Sequence, residues 1–94
     1  MRKIYLNGKA MRDRESMHAH LRKRLKLPDY YGNNLDALYD CLTENGEETE
    51  LIVRNTEALR TAMGSYGTKF LSGLAAATGA NPRIHITFRD RFFR

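Results

Sequence analysis

Asp36 and Asp40 stand four residues apart in LDALYD, the spacing that puts two carboxylates on one face of a helix. A pair so placed can act as a general acid–base dyad, attract a cation, or simply stay solvated. The other reactive side chains give less. His18 and His20 are two apart in a helical stretch, so they face different directions and do not readily share a metal. His85 falls on a strand face, and all three histidines read as ordinary surface or boundary residues. Cys41 is the single cysteine and cannot form an internal disulfide. With no cationic neighbour in sequence, it reads as a buried structural thiol rather than a nucleophile. The sequence has no glycine-rich phosphate loop and no Cys/His metal spacing. The expectation is no catalytic residue, no metal site and no cofactor.

The two aspartates gain meaning from their company. Residues 27–53 carry no Lys or Arg and seven acids: Asp29, Asp36, Asp40, Glu44, Glu47, Glu48 and Glu50. This segment holds −7, and the rest of the chain +12, within a net charge of +5. Like charges at i and i+4 cost a helix a few tenths of a kcal/mol. Asp36 recovers some of that at the positive end of the helix dipole, whereas Asp40 recovers none. Tyr30, Tyr31 and Tyr39 add large apolar surface with polar tips. Acids and aromatics kept in a zone free of basic residues read as a docking surface for a positively charged protein. The competing reading is a basic nucleic-acid-binding domain, built on Arg22-Lys23-Arg24-Lys26 and the arginine-rich end of the chain. A continuous positive stripe joining residues 22–26 to 89–94 would favour it, whereas a solvated helix end is the plainer reading of the cluster.

These residues need elements to hold them. KIYLN, residues 3–7, alternates as a short strand, and Asn7-Gly8 signals a turn. Asp13 caps a helix over about 14–26, with Met17, Leu21 and Leu25 as its apolar stripe, basic residues at its negative pole and Pro28 as its stop. Tyr30-Tyr31-Gly32 forms a loop in which glycine supplies conformational freedom. Asn33 or Asn34 then caps a helix over about 34–43 with Leu35, Leu38 and Leu42 inward. ELIVR, residues 50–54, reads as a buried strand. Thr56 caps a helix reaching about Met63, with Ala58, Leu59 and Met63 available for burial, and Gly64-Ser65-Tyr66-Gly67 breaks it. A fourth helix over about 67–78 packs Phe70, Leu71, Leu74 and Ala77, and Gly79 ends it. RIHITFR supplies a strand over about 84–89. The tail, RDRFFR, reads as a strand extension, a packing flap or a contact surface.

Strands separated by helical crossovers predict one parallel sheet in a single α/β domain, with the first strand in the middle. The 94 residues suffice for one core. The start of the chain has no signal-peptide run, and no window approaches a membrane span. With the unpaired cysteine, this predicts a cytoplasmic protein without a membrane partner; the free protein is expected to be a monomer.

YYGNNLDALYDCLT closely resembles the signature of the barstar family, intracellular inhibitors of barnase-type ribonucleases. LNGK after the first strand, the MHAHLRKRLKLP helix and the closing IHITF strand agree with it. The resemblance covers nearly the whole chain, dense at 27–43 and loose between 44 and 82. It implies a three-stranded parallel sheet with about four helices. It also implies an inhibitor, not an enzyme, whose second helix and preceding loop plug the active site of a basic ribonuclease or related nuclease toxin. The implied contact residues are Tyr30, Tyr31, Gly32, Asn34, Leu35, Asp36, Tyr39, Asp40, Thr43 and Glu44. By this likeness Asp40 sits where a substrate phosphate binds, Asp36 flanks it, and Gly32 lets the loop approach closely. The family often has tryptophan where Tyr39 stands and Gly-Trp where Glu44 and Asn45 stand. A fourth-helix acid of its best-known member falls near Ala76. Regulation of a protein other than a nuclease is the alternative.

Overall fold

The computed structural model describes residues 1–90, so the last four residues of the tail, 91–94, lie outside the described residues. The chain runs β1 (Arg2–Asn7), a 3-10 turn (Gly8–Ala10), α1 (Arg14–Leu25), α2 (Leu35–Thr43), β2 (Thr49–Arg54), α3 (Thr56–Met63), α4 (Ser65–Ala80) and β3 (Ile84–Phe88). The three strands form one wholly parallel sheet, with Ile4 opposite Leu51 and Leu51 opposite Ile86. Its order is β1-β2-β3, so the second strand is central and not the first, as had been expected. The reason lies in the side chains. Leu51, Ile52 and Val53 are consecutive and all fully buried, which a strand flanked by neighbours on both sides allows. β1 instead alternates between buried and solvated positions, and β3 is buried only at Ile84, as suits edge strands.

One sheet face, carrying Ile4, Leu6, Leu51, Val53 and Ile84, joins buried side chains from all four helices in a single core. The expected stripes supply it: Met17, Leu21 and Leu25 from α1, Leu38 and Leu42 from α2, Leu59 from α3, and Phe70, Leu71, Leu74 and Ala77 from α4. Each of these side chains except the small Ala77 contributes about 1.5–3 kcal/mol by leaving water. Leu35, Ala58 and Met63 are only half-buried. Among the described residues, no helix lies on the opposite sheet face. Lys3, Tyr5, Arg54 and His85 are exposed there, around a buried Ile52.

The helix ends show how local chemistry and long-range contacts divide the work. Asp13 caps α1 as expected, accepting from Ser16 N at 2.8 Å while Ser16 Oγ accepts from Asp13 N at 3.1 Å, a reciprocal capping box. Thr56 is not the cap of α3 but its first residue. The preceding Asn55 is left-handed and makes no side-chain capping bond. Asp90, beyond β3, does that job: its carboxylate accepts from both the Thr56 N–H (2.7 Å) and the Thr56 hydroxyl. Gly64 alone, with φ of +57°, separates α3 from α4, and Ser65–Gly67 already belong to α4. Gly79 lies inside α4, which continues to Ala80 with Asn81 as its cap.

Candidate functional site

The segment from Leu27 to Glu44 is held from both ends and from beneath. At its start, Lys26 ends α1 in the left-handed region and Leu27 N–H bonds back to Arg22 O at 3.0 Å. Tyr31 N–H closes a turn on Pro28 O, also at 3.0 Å. Asn33, not Gly32, takes the left-handed conformation in this loop. Gly32 matters for space instead: a Cβ there would come 3.1 Å from the Asn34 amide nitrogen. That amide is the cap of α2. Asn34 Oδ1 accepts from Ala37 N at 2.7 Å, and Nδ2 donates to Gly32 O at 3.2 Å.

The two adjacent tyrosines part company. Tyr30 is 88% exposed, whereas Tyr31 is 4% exposed and points into the core. The Tyr31 hydroxyl lies 2.6 Å from His18 Nδ1 and 3.5 Å from Asn34 O. His18 Nε2 lies 2.8 Å from the Tyr66 hydroxyl on α4. His18 was expected at a surface or boundary but is 2% exposed, on the inner side of α1 beside Met17. One imidazole thus ties α1, the loop and α4 together. Burial first, and then the charge of Arg14, hold His18 below its ordinary value, so the ring stays neutral. Burial likewise pushes the Tyr31 hydroxyl well above its ordinary range. Arg14 lies over the Tyr66 ring, 4.2 Å from its centroid, and closes the cluster.

The far end of α2 has its own fastening. Asn81 is buried and its amide nitrogen donates to Leu42 O (2.9 Å), Asn45 O (2.8 Å) and, more weakly, Thr43 O (3.4 Å). These carbonyls lie at and just beyond the end of α2, where intrahelical donors run out; Leu42 O also accepts from Asn45 N at 3.3 Å. Sequence reasoning missed this residue and His18. Nothing local in the sequence indicates that Asn81 reaches α2.

Between these anchors, Asp36, Asp40 and Glu44 are exposed, Tyr39, Leu35 and Thr43 are half-buried, and Leu38 and Leu42 face the core. Thr43 Oγ1 donates to Asp40 O, so its hydroxyl is engaged within the helix. Among the described residues no cation lies within 4.0 Å of Asp36 or Asp40; the ion pairs there are Arg2–Glu47 and His85–Glu48. The fold does bring two basic residues toward this zone. Arg22 reaches Tyr31 O and Asn33 Oδ1 at 3.5 Å, and Lys69 borders Tyr39 at the seam between α2 and α4. Cys41 is half-buried rather than fully sequestered. Burial first, then Glu44 and Asp40, push its thiol up, which weakens it as a nucleophile.

The family model for barstar, the barnase inhibitor, matches residues 1–90. A Bacillus subtilis (strain 168) protein named "Putative ribonuclease inhibitor YrdF" is 41% identical over 78 residues, which cover 82% of this chain and 86% of that relative. With the parallel three-stranded sheet and its four helices, these matches show that the chain belongs to the barstar family.

Proposed function

We propose that the protein inhibits a basic ribonuclease, of the barnase type or a related nuclease toxin, by filling its phosphate-binding active site with α2 and the loop before it. The observation that carries this is the pair Asp36 and Asp40. They are exposed on a helix anchored at both ends, with no cation within 4.0 Å among the described residues. Exposed carboxylates on a rigid helix mimic substrate phosphates, and the enzyme's own cations supply the missing counter-charge. Charge complementarity of this kind governs association rate and specificity, a rule for which the barnase–barstar pair is itself the type case. Tyr30 offers the exposed aromatic contact, and Tyr39 is partly exposed on α2. Gly32, Asn34, Leu35, Thr43 and Glu44 frame that surface. Tyr31 serves from within, as the strut that fixes the loop. No catalysis, cofactor or metal belongs to this role. The site of action is the cytoplasm, and the free protein is a monomer.

The test is a pair of measurements on Asp40→Ala, with a barnase-type ribonuclease as the probe. Removing one partner from a buried charge pair costs about 3–5 kcal/mol. Affinity should therefore fall about a hundredfold or more, while folding stability stays within about 0.5 kcal/mol. Wild-type association should also slow as salt rises. A fall of several kcal/mol in stability with binding untouched would make Asp40 a structural residue and end this reading.

A further inference from the structure

The positive charge of this protein is not spread evenly. A shallow groove of about 370 Å³ runs along the free edge of β1, lined by Arg2, Lys3, Tyr5, Lys23, Arg24 and Lys26. A second depression, on the bare sheet face, is lined by Tyr5, Arg54, Arg89 and Asp90. Tyr5 lines both, so the cations of the α1 C-terminus connect through it to Arg54 and Arg89. Strand parity explains the join. Tyr5 and Ile52 sit side by side on the helix-free face, and the next pair along it is Asn7 and Arg54.

The acids near this stripe are hydrogen-bonded to other groups, and Asp90 lines the second depression itself. Thr87 Oγ1 donates to Glu50 at 2.6 Å, Glu48 holds His85 at 2.8 Å, and Asp90 turns toward Thr56 at the start of α3. Arg2 pairs with Glu47 at 3.9 Å. Among the described residues, Lys3, Lys23, Arg24, Lys26, Arg54 and Arg89 have no carboxylate within 4.0 Å. The α1 side of the groove is well fixed. Arg24 Nε donates to Tyr5 O at 2.9 Å, and His20 Nε2 accepts from Asn7 N at 3.1 Å. The Tyr5 ring, 40% exposed, stands among these cations. α2 belongs to the helical layer, on the other side of the sheet from the bare face.

We infer that this stripe binds single-stranded nucleic acid, its cations tracking the phosphates and Tyr5 stacking on a base. Cations beside an exposed aromatic ring are what a single strand engages, since every base offers a π-face and every linkage a charge. The stripe runs from Lys23, Arg24 and Lys26 to Arg89, the feature on which the nucleic-acid reading turned; it lies apart from the α2 face, so one chain can carry both roles.

The test uses the full chain and a fluorescent single-stranded RNA of mixed sequence, about 12 nucleotides long, within the range such small folds engage. Anisotropy at about 50 mM salt should show binding that weakens with salt. The log–log slope should be about −3 to −4 if four to six cations each meet a phosphate. Lys23→Glu combined with Arg54→Glu should weaken binding about tenfold or more, with thermal denaturation confirming the fold. Tyr5→Ala should weaken it about fivefold or more, since stacking is lost while charge is kept. Asp36→Asn with Asp40→Asn should leave RNA binding unchanged. No binding at low salt overturns the inference. So does equal binding of a polyglutamate chain with no effect of Tyr5→Ala, which would show a generic polyanion surface. Salt-sensitive self-association abolished by the α2 variants would mean that the stripe receives the acidic helix of a second copy, and would overturn it too.

Discussion

Replacing Tyr31 by Phe removes a single oxygen, and the structure states what that oxygen does. It lies 2.6 Å from His18 Nδ1, where the imidazole is 2% exposed and its other nitrogen is held by Tyr66. Without it, the buried Nδ1 has no partner, and such a loss costs about 1–3 kcal/mol. A domain of this size has about 5–15 kcal/mol in total and loses about 4–8 °C of melting temperature per kcal/mol. Tyr31→Phe should therefore lower the melting temperature by roughly 5–20 °C. Tyr30→Phe, at an 88% exposed site one residue away, should change stability by less than about 0.5 kcal/mol. The pH dependence gives a second readout of the same cluster. His18 is held below its ordinary value of 6.5, so the unfolded chain takes up its proton first as the pH falls. The stability this provides is complete above 6.5 and is lost below it. His20 is shifted the same way, by burial first and then Arg24 and Lys23, and adds to the same slope. Urea unfolding between pH 7 and 5 should show the decline, and His18→Gln should remove His18's share of it. If Tyr31→Phe stays within about 0.5 kcal/mol of wild type, or His18→Gln leaves the pH slope unaltered, the hydrogen-bonded cluster does not hold this loop.

Two further outcomes concern how the fold is closed. Asn81→Ala removes the side-chain donor to the Asn45 carbonyl and one of the donors to the Leu42 carbonyl, and should cost about 1–3 kcal/mol in chemical denaturation, with faster amide exchange at the end of α2. Gly8→Ala places a Cβ 2.0 Å from Asn55 O, a backbone atom that cannot swing away, so it should cost about 3 kcal/mol or more or abolish folding, read by circular dichroism.

Much of this protein was legible before any coordinates. Period-two and period-four apolar spacing reports burial directly, because a strand or helix with one apolar face must cover it. That is why all three strands, the stripes of α1, α2 and α4, and the acidic segment could be read from residues alone. The Asp13 cap was visible for the same reason, since it acts within one turn. Strand order was present too, in the contrast between the unbroken LIV run and the alternating flanks, but the inference from topology overrode it. What the tertiary structure alone decided are the partners across long sequence gaps. His18 meets Tyr66 48 residues away, Asn81 reaches Leu42 across 39, and Asp90 caps α3 across 34. The same holds for Arg22 and Lys69, which the fold returns to the neighbourhood of a segment free of basic residues in sequence, and for Tyr5, which joins two basic surfaces. Periodicity says that a side chain faces inward. Only the packing of one element on another says which buried polar atom it will meet there, because a hydrogen bond depends on angstrom-scale positions that no local pattern encodes.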